Sequence, residues 1–322
     1  MGTAMDDVLM GLRAAAEPTR LRLLALCAEA ELAVTELTQA VGQSQPRVSR
    51  HLKVLSDAGL VERHREGTWV FYRMTENGAQ GRLARDILAH ISGDEEALAR
   101  DFNRLTAVKE ARATAAAEYF RANVRRWDEI RALYVPEFEA ETALFDIFGS
   151  GRIGDFLDIG TGTGRILEVF APRIERGLGL DLSREMLAAA RSRLDGAGLR
   201  NCRVRRGDMY DLALAAQSMD AVVIHQVLHF ADRPARAIAE AARVLRPKGR
   251  VVIVDFAPHT LEFLRTEHAH RRLGFGDAEV ARWYRAAGLA VGAPKRLVGD
   301  PLCLTLWPAR KPVKRGAKAR AP

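Results

Sequence analysis

The sequence predicts two folded domains of different class. The first is an α+β domain built on a helix-turn-helix with a following β-hairpin, and the second is a larger α/β domain with a mostly parallel sheet. Three observations carry this. The chain has 322 residues, more than one hydrophobic core ordinarily serves, since single cores stop growing near about 250–300 residues. Within residues 1–92 short amphipathic helical patterns are followed by one pair of alternating strands. From residue 154 short apolar runs alternate with glycine loops and helical stretches, the signature of crossover units that lay helices on both faces of a parallel sheet.

Composition narrows the function classes. Hydrophobic residues make up 48% and charged residues 28%, which excludes a fibrous or wholly disordered chain. No apolar run approaches the ~18 residues of a membrane span, and AVVI at 221–224 and VVIV at 251–254 read as buried strands. The N-terminus has no basic segment followed by an apolar one, so neither secretion nor a membrane partner is expected and the cytoplasm is the expected compartment. Cys27, Cys202 and Cys303 are scattered and odd in number, offering neither a disulfide framework nor a zinc cluster, and no metal site is assigned. The net charge of +8 is uneven: residues 1–92 balance 11 basic with 11 acidic side chains, whereas 310–322 carry six basic and none acidic. That Pro-, Gly- and Ala-rich stretch is expected to be a disordered basic tail.

In the first domain, PTRLRLLALCAE (18–29) starts with Pro18 where a first helical turn tolerates it. VTELTQAVG forms a short helix stopped by Gly42, and Ser44 can cap a helix over SQPRVSRHLKVLSDAGL with Val48, Leu52 and Leu55 on its apolar side. The opposite face carries Gln45, Arg47, Ser49, Arg50 and Lys53, donors suited to phosphates and to base edges in a major groove. LVERHRE, a turn at Glu66-Gly67 and TWVFYRM form a hairpin, or wing, with Arg63, His64, Arg65 and Arg73 around it. Six Arg or Lys against three acids between 44 and 73 make a basic surface inside a neutral domain.

EPTRLRLL, SRHLKVLSDAGLV and REGTWVFYRM resemble the ArsR/SmtB family of winged-helix repressors, over about residues 5–92. The resemblance implies a homodimer, held by the first helix and the helix after the wing (about 77–92), that presents two recognition helices to palindromic double-stranded operator DNA. Metal sensors of the family often place two cysteines in the helix read here as ELAVTEL, where this chain has Ala33 and Thr35. Asp86 and His90 echo the family's second metal site only faintly, and a helix-stabilising or interface pair suits them better. Direct metal sensing is therefore not expected.

Residues 93–150 are assigned to a helical connector and the first helices of the next domain. The run 94–131 is rich in Ala, Arg and Glu without proline or glycine, and two helices broken near Ala113–Ala116 are expected. Tyr119, Phe120, Trp127 and Tyr134 fall at mixed helical spacing and read as core.

The second domain, 151–309, opens with a strand and the loop Gly160-Thr161-Gly162-Thr163-Gly164, where missing Cβ atoms let backbone approach a ligand. A nicotinamide-type GxGxxG would need a small residue at 165, and Arg165 stands there. Asp181 ends the second apolar strand, where a carboxylate can accept both hydroxyls of a ribose. Asp208 follows the third strand, placed to meet an exocyclic adenine amine, with Met209 able to pack on the ring. In this order the motifs resemble the class I S-adenosylmethionine (SAM)-dependent methyltransferases, with LDIGTGTG as the first motif, over about 117–309. The resemblance implies a Rossmann-like fold with a seven-stranded, mostly parallel sheet closed by an antiparallel pair over 290–298 and 301–307. It also implies SAM, or its demethylated product S-adenosylhomocysteine (SAH), held by Gly160, Gly162, Gly164, Asp181 and Asp208. Asp158, before the loop, is placed to face the cationic sulfonium.

The acceptor side is less legible. His225 and Gln226 follow the fourth strand, and His225 is the candidate proton acceptor at neutral pH. His268 and His270 in EHAHRR read as a pocket rim, and Cys202 lacks the partner thiols that an arsenite methyl acceptor would require. Two functions follow: a DNA-binding regulator whose second domain methylates a small molecule, or a repressor whose second domain only senses SAM or SAH. A metal-responsive repressor is disfavoured by the missing cysteines.

Overall fold

The computed structural model describes residues 5–66, 68–75, 78–92, 95–127 and 137–313. They divide into two compact units, Met1–Ala116 and Ala117–Pro322.

In the first unit α1 (Met5–Ala15), α2 (Pro18–Glu29), α3 (Val34–Val41) and α4 (Gln45–Asp57) precede a hairpin of β2 (Val61–Glu66) and β3 (Trp69–Met74) and then α5 (Gly78–Ala89). Glu17 caps α2 by accepting from Arg20 N at 2.8 Å, with Pro18 in the first turn as its fixed φ permits. Gly42 closes α3 in the left-handed region (φ +67°) with its N–H on Thr38 O, the glycine-dependent stop that the sequence signals. Ser44 occupies the N-cap position of α4, but its side chain makes no capping bond. Leu32 and Ala33, within the ELAVTEL stretch, form the two-residue strand β1 opposite Tyr72 and Phe71, and α3 starts at Val34, where VTELTQAVG begins. One core joins Leu23, Leu24 and Leu26 of α2, Leu37 of α3 and Val48, Leu52 and Leu55 of α4. His90 Nδ1 lies 2.7 Å from the main-chain oxygen of Asp86, not its carboxylate, a local helix-end contact.

The expected break near Ala113–Ala116 is absent. α6 (Glu96–Asn123) is one continuous 28-residue helix, which its Ala, Arg and Glu content favours, and the boundary between the units falls within it. In the first unit Leu105 enters the core. The fully buried Asp101 accepts from Arg22 Nε and Nη2, both at 2.6 Å.

The second unit runs α7 (Glu137–Phe148), β4 (Ile153–Ile159), α8 (Arg165–Phe170), β5 (Ile174–Asp181), α9 (Arg184–Gly196), β6 (Cys202–Arg206), β7 (Met219–His225), α10 (Pro234–Val244) and β8 (Leu245–Phe256). It ends with α11 (Phe263–Glu267), α12 (Asp277–Ala286), β9 (Ala290–Val291), β10 (Lys295–Val298) and β11 (Cys303–Arg310). The strand order is β10-β11-β8-β7-β4-β5-β6. β4 to β8 are parallel and β10 and β11 antiparallel, with the short β9 beside β11. Alternate residues feed two cores, one on each face: Phe156, Val223 and Val252 enter one, and Leu157, Val222 and Ile253 the other. Strands buried on both faces read as continuous apolar runs for this reason. The stretch 290–298 splits into β9 and β10. The start of the basic tail belongs to the fold: Arg310 pairs in β11, and Lys311 Nζ donates to Ala242 O at 2.7 Å and Leu245 O at 2.8 Å at the α10 C-terminus, where a cation is favoured. Residues 314–322 lie outside the described residues, as do Gly67 and Tyr134. Among the described residues no helix is long and apolar enough to cross a membrane.

Candidate DNA-reading face and candidate cofactor site

The packing that buries Val48, Leu52 and Leu55 turns the other side of α4 outward. Gln45, Arg47, Arg50 and Lys53 are exposed and Ser49 half-buried, so the structure brings these five onto one helix surface. Lys53 Nζ lies 2.7 Å from Asp57 Oδ2, one turn on. Arg63 and Arg65 are exposed on β2. Arg73 is committed within the wing, donating to Glu62 at 3.0 Å and 2.5 Å.

In the second unit the loop after β4 holds Gly160, Gly162 and Gly164 at φ +71°, +52° and +81°. A Cβ on Gly160 would stand 2.5 Å from the Val227 side chain, so space and backbone conformation both require glycine there. The N–H groups of Gly160 and Thr161 donate to Leu180 O at 2.8 and 2.9 Å, fastening the loop to the end of β5. Asp181, the last residue of β5, accepts from Gly162 N through Oδ2 and from Ser183 N through Oδ1, both at 2.9 Å. Burial pushes the Asp181 carboxyl above the ordinary carboxylate range, against the lowering effect of these N–H donors. Loop and acid thus form one cradle at the carboxyl ends of adjacent parallel strands, where ligands bind in such sheets. Arg165 is explained by packing: its guanidinium donates to both oxygens of Glu141 on α7, at 2.7 and 3.1 Å.

Asp158 is 1% exposed, two residues before Gly160. Asp208 is exposed after β6 and accepts from Tyr210 N at 2.8 Å, while Met209 packs half-buried against the core. Tyr210 braces this corner: its hydroxyl accepts from Asp232 N at 2.7 Å, and burial pushes it up to about 12. Cys202 and Cys27 are buried, and burial pushes their thiols up to about 11 and about 12, which disfavours the thiolate form.

β7 ends at His225. Gln226 takes a left-handed backbone (φ +49°), and a 3-10 turn over Leu228–Phe230 follows. His225 is buried at this strand end. Sequence reasoning missed the histidine with a carboxylate partner, His229. Its Nδ1 lies 2.8 Å from Asp255 Oδ1, and its main-chain N donates to Asp255 Oδ2 at 3.1 Å. The buried acid ending VVIVDF was the available signal. His268 and His270 lie beyond α11 rather than on a helix. His268 Nδ1 is 2.8 Å from the Tyr119 hydroxyl, and His270 stacks on His229 with centroids 4.1 Å apart, where burial and neighbouring histidines depress its pKa. Trp127, read as core, lies against the loop: its Nε1 is 3.3 Å from the position of a Cβ on Gly162. Among the described residues no group of three or more His, Cys, Asp or Glu has metal-binding geometry.

Residues 17–63 match the family model described as bacterial regulatory protein, arsR family, and residues 157–253 match a methyltransferase domain model. The first domain is similar to the arsenic resistance transcriptional regulator of Pseudomonas putida, 50% identical over 60 residues, 18% of this chain and 47% of that protein. The second is similar to an uncharacterized methyltransferase of Bacillus subtilis, 33% identical over 103 residues, 32% of this chain and 41% of that protein. Among solved structures, a chain from the complex of a Haloferax volcanii methyltransferase with its activator aligns with a TM-score of 0.51 at 21% identity, covering 60% of this chain and 98% of that one. That is a likeness of fold. The chain spans about half the length of the curated relatives it matches, 41%, 52% and 43% for three of them.

Proposed function

Because the chain joins an arsR-type DNA-binding regulator domain to a methyltransferase domain, we propose that it is a cytoplasmic transcriptional regulator whose second domain binds SAM and transfers its methyl group to a small molecule. The carrying observation is the cradle in which Asp181 holds Gly162 N and Ser183 N at 2.9 Å. The site fits SAM by the chemistry of its groups: left-handed glycines that admit close backbone approach, a strand-end acid for the ribose hydroxyls, and Asp208 with Met209 for the adenine. Bound, SAM supplies an electrophilic methyl group on a sulfonium. Asp158 supplies negative potential beside the loop, and His225 is the proposed proton acceptor, a role that alignment alone can make dispensable in methyl transfer. Calorimetry with SAM and SAH tests the assignment. No binding of either ligand by the wild type overturns it.

The DNA partner is proposed to be a palindromic duplex read by a homodimer. Met5, Leu9 and Leu12 of α1 are 75%, 38% and 45% exposed at helical spacing, an apolar stripe that dimer contact would cover. Gln45, Arg47, Ser49, Arg50 and Lys53 then enter the major groove, and Arg63 and Arg65 of the wing contact backbone phosphates. A second reading, a sensor that binds SAM or SAH without turnover, is favoured by one observation. The single helix α6 carries Asp101, paired with Arg22 in the DNA-binding unit, and also Phe120, packed on Trp127 at 5.3 Å in the second unit. Titrating SAM and SAH into the protein with and without operator DNA separates the readings. Coupling must be reciprocal, so equal dissociation constants in both conditions favour the enzyme.

A further inference from the structure

Phe120, Trp127 and Phe230 belong to neither core cluster of the second unit, yet they are packed together. Ring centroids lie 5.3 Å apart for Phe120 and Trp127, 4.9 Å for Phe120 and Phe230, and 6.4 Å for Trp127 and Phe230. Through Trp127 the group meets the glycine loop. Trp127 stands against Gly162, and Phe230 hangs from the turn whose Val227 stands against Gly160. All three rings are half-buried: Tyr119 packs edge-on against Phe120 and Trp127 at 5.8 and 6.3 Å, His229 and His270 pack on Phe230 at 4.1 and 5.3 Å, and each of the three residues keeps part of its surface exposed. An apolar cover needs no aromatic faces, and three converging rings point to a charge preference. Ring faces carry negative quadrupole potential that attracts a cation within about 6 Å.

We propose that Phe120, Trp127 and Phe230 form a cation-selective aromatic wall that recognises the positive sulfonium of SAM and sets the preference for SAM over uncharged SAH. The proposal rests on the reading of the glycine loop as a SAM site. SAM and SAH share ribose and adenine and differ only in the transferable methyl group with its positive charge. Contacts from Asp181 and Asp208 therefore act on both ligands, whereas the wall acts on one.

The test is calorimetry of SAM and SAH on full-length wild type, Trp127→Leu, Trp127→Phe, Phe230→Leu and Asp181→Ala. Trp127→Leu is expected to weaken SAM relative to SAH by roughly two- to thirtyfold. Trp127→Phe keeps most of the preference, and Asp181→Ala weakens both ligands with their ratio unchanged. If Trp127→Leu fails to fold by circular dichroism, Phe230→Leu and Phe120→Leu decide the matter. A SAM-to-SAH ratio within about twofold of wild type in every ring-to-leucine variant that folds overturns the wall, as does a wild type that binds SAH but not SAM. A wild type that binds neither ligand defeats the SAM-site reading itself, and the wall with it.

Discussion

Replacing Asp181 is the most informative perturbation because its carboxylate has two separable jobs. In the folded protein it accepts from Gly162 N and Ser183 N, and in the proposed complex its remaining lone pairs accept the ribose hydroxyls. Hydrogen bonds to a charged group are worth about 1.5–3 kcal/mol, so Asp181→Ala is expected to weaken SAM about ten- to a hundredfold or slightly more. Asp181→Asn keeps one acceptor oxygen but turns an amide donor toward the second N–H, and its affinity should fall between the two. Stability should behave differently. Burial raises the folded-state pKa of Asp181, so its contribution to stability is full below the pKa of the unfolded carboxyl and is lost as pH rises through the raised folded value. Asp181→Asn removes the ionisable group that burial disfavours while losing an acceptor for one N–H, and the two effects act in opposite directions. The expected result is a melting temperature close to wild type with clearly weakened SAM binding. Wild-type affinity should also decline as pH falls toward the raised pKa, a dependence that flattens in Asp181→Asn. Calorimetry across pH with parallel thermal melts measures both. SAM affinity in Asp181→Ala within about twofold of wild type would refute the reasoning.

Gly160→Ala must adopt φ +71° with its Cβ 2.5 Å from Val227. The left-handed backbone alone costs about 1–2 kcal/mol, so a lower melting temperature and lost SAM binding are expected, and a variant binding like wild type would show that the loop opens freely. Asp101→Ala leaves Arg22 with its bond to Val41 O at 3.1 Å but without its carboxylate partner, which is buried at 1% side-chain exposure. A loss of about 3 kcal/mol should shift the urea unfolding of the first unit, and an unmoved midpoint would mean that the pair is effectively solvated. Arg47→Ala and Arg50→Ala should relax or abolish operator selectivity. Arg65→Ala should weaken all sequences alike and reduce the salt slope by about one. Binding assays at several salt concentrations distinguish these, and a uniform loss from all three changes would contradict the assignment of the recognition helix.

Local signals made much of this protein legible in its sequence. Pro18 and Gly42 bound helices because their backbone limits are intrinsic to the residues. The apolar side of α4 follows from periodicity and the doubly buried β7 from a continuous apolar run, and the glycine loop and Asp181 can be found because residue type and order along a parallel sheet dictate where a ligand site forms. What only the tertiary structure decided involves contacts distant in sequence. Arg165 is where it is because Glu141, 24 residues earlier, receives it. The chain end past Arg310 is held because Lys311 meets carbonyls at the end of α10. His229 takes a carboxylate partner because Asp255, 26 residues later on β8, meets both its ring and its main-chain N. Trp127 stands on Gly162 rather than in a core, which no spacing encodes: an aromatic side chain has the same composition signature whether it fills a core or covers a loop, and only the packing of remote segments settles which.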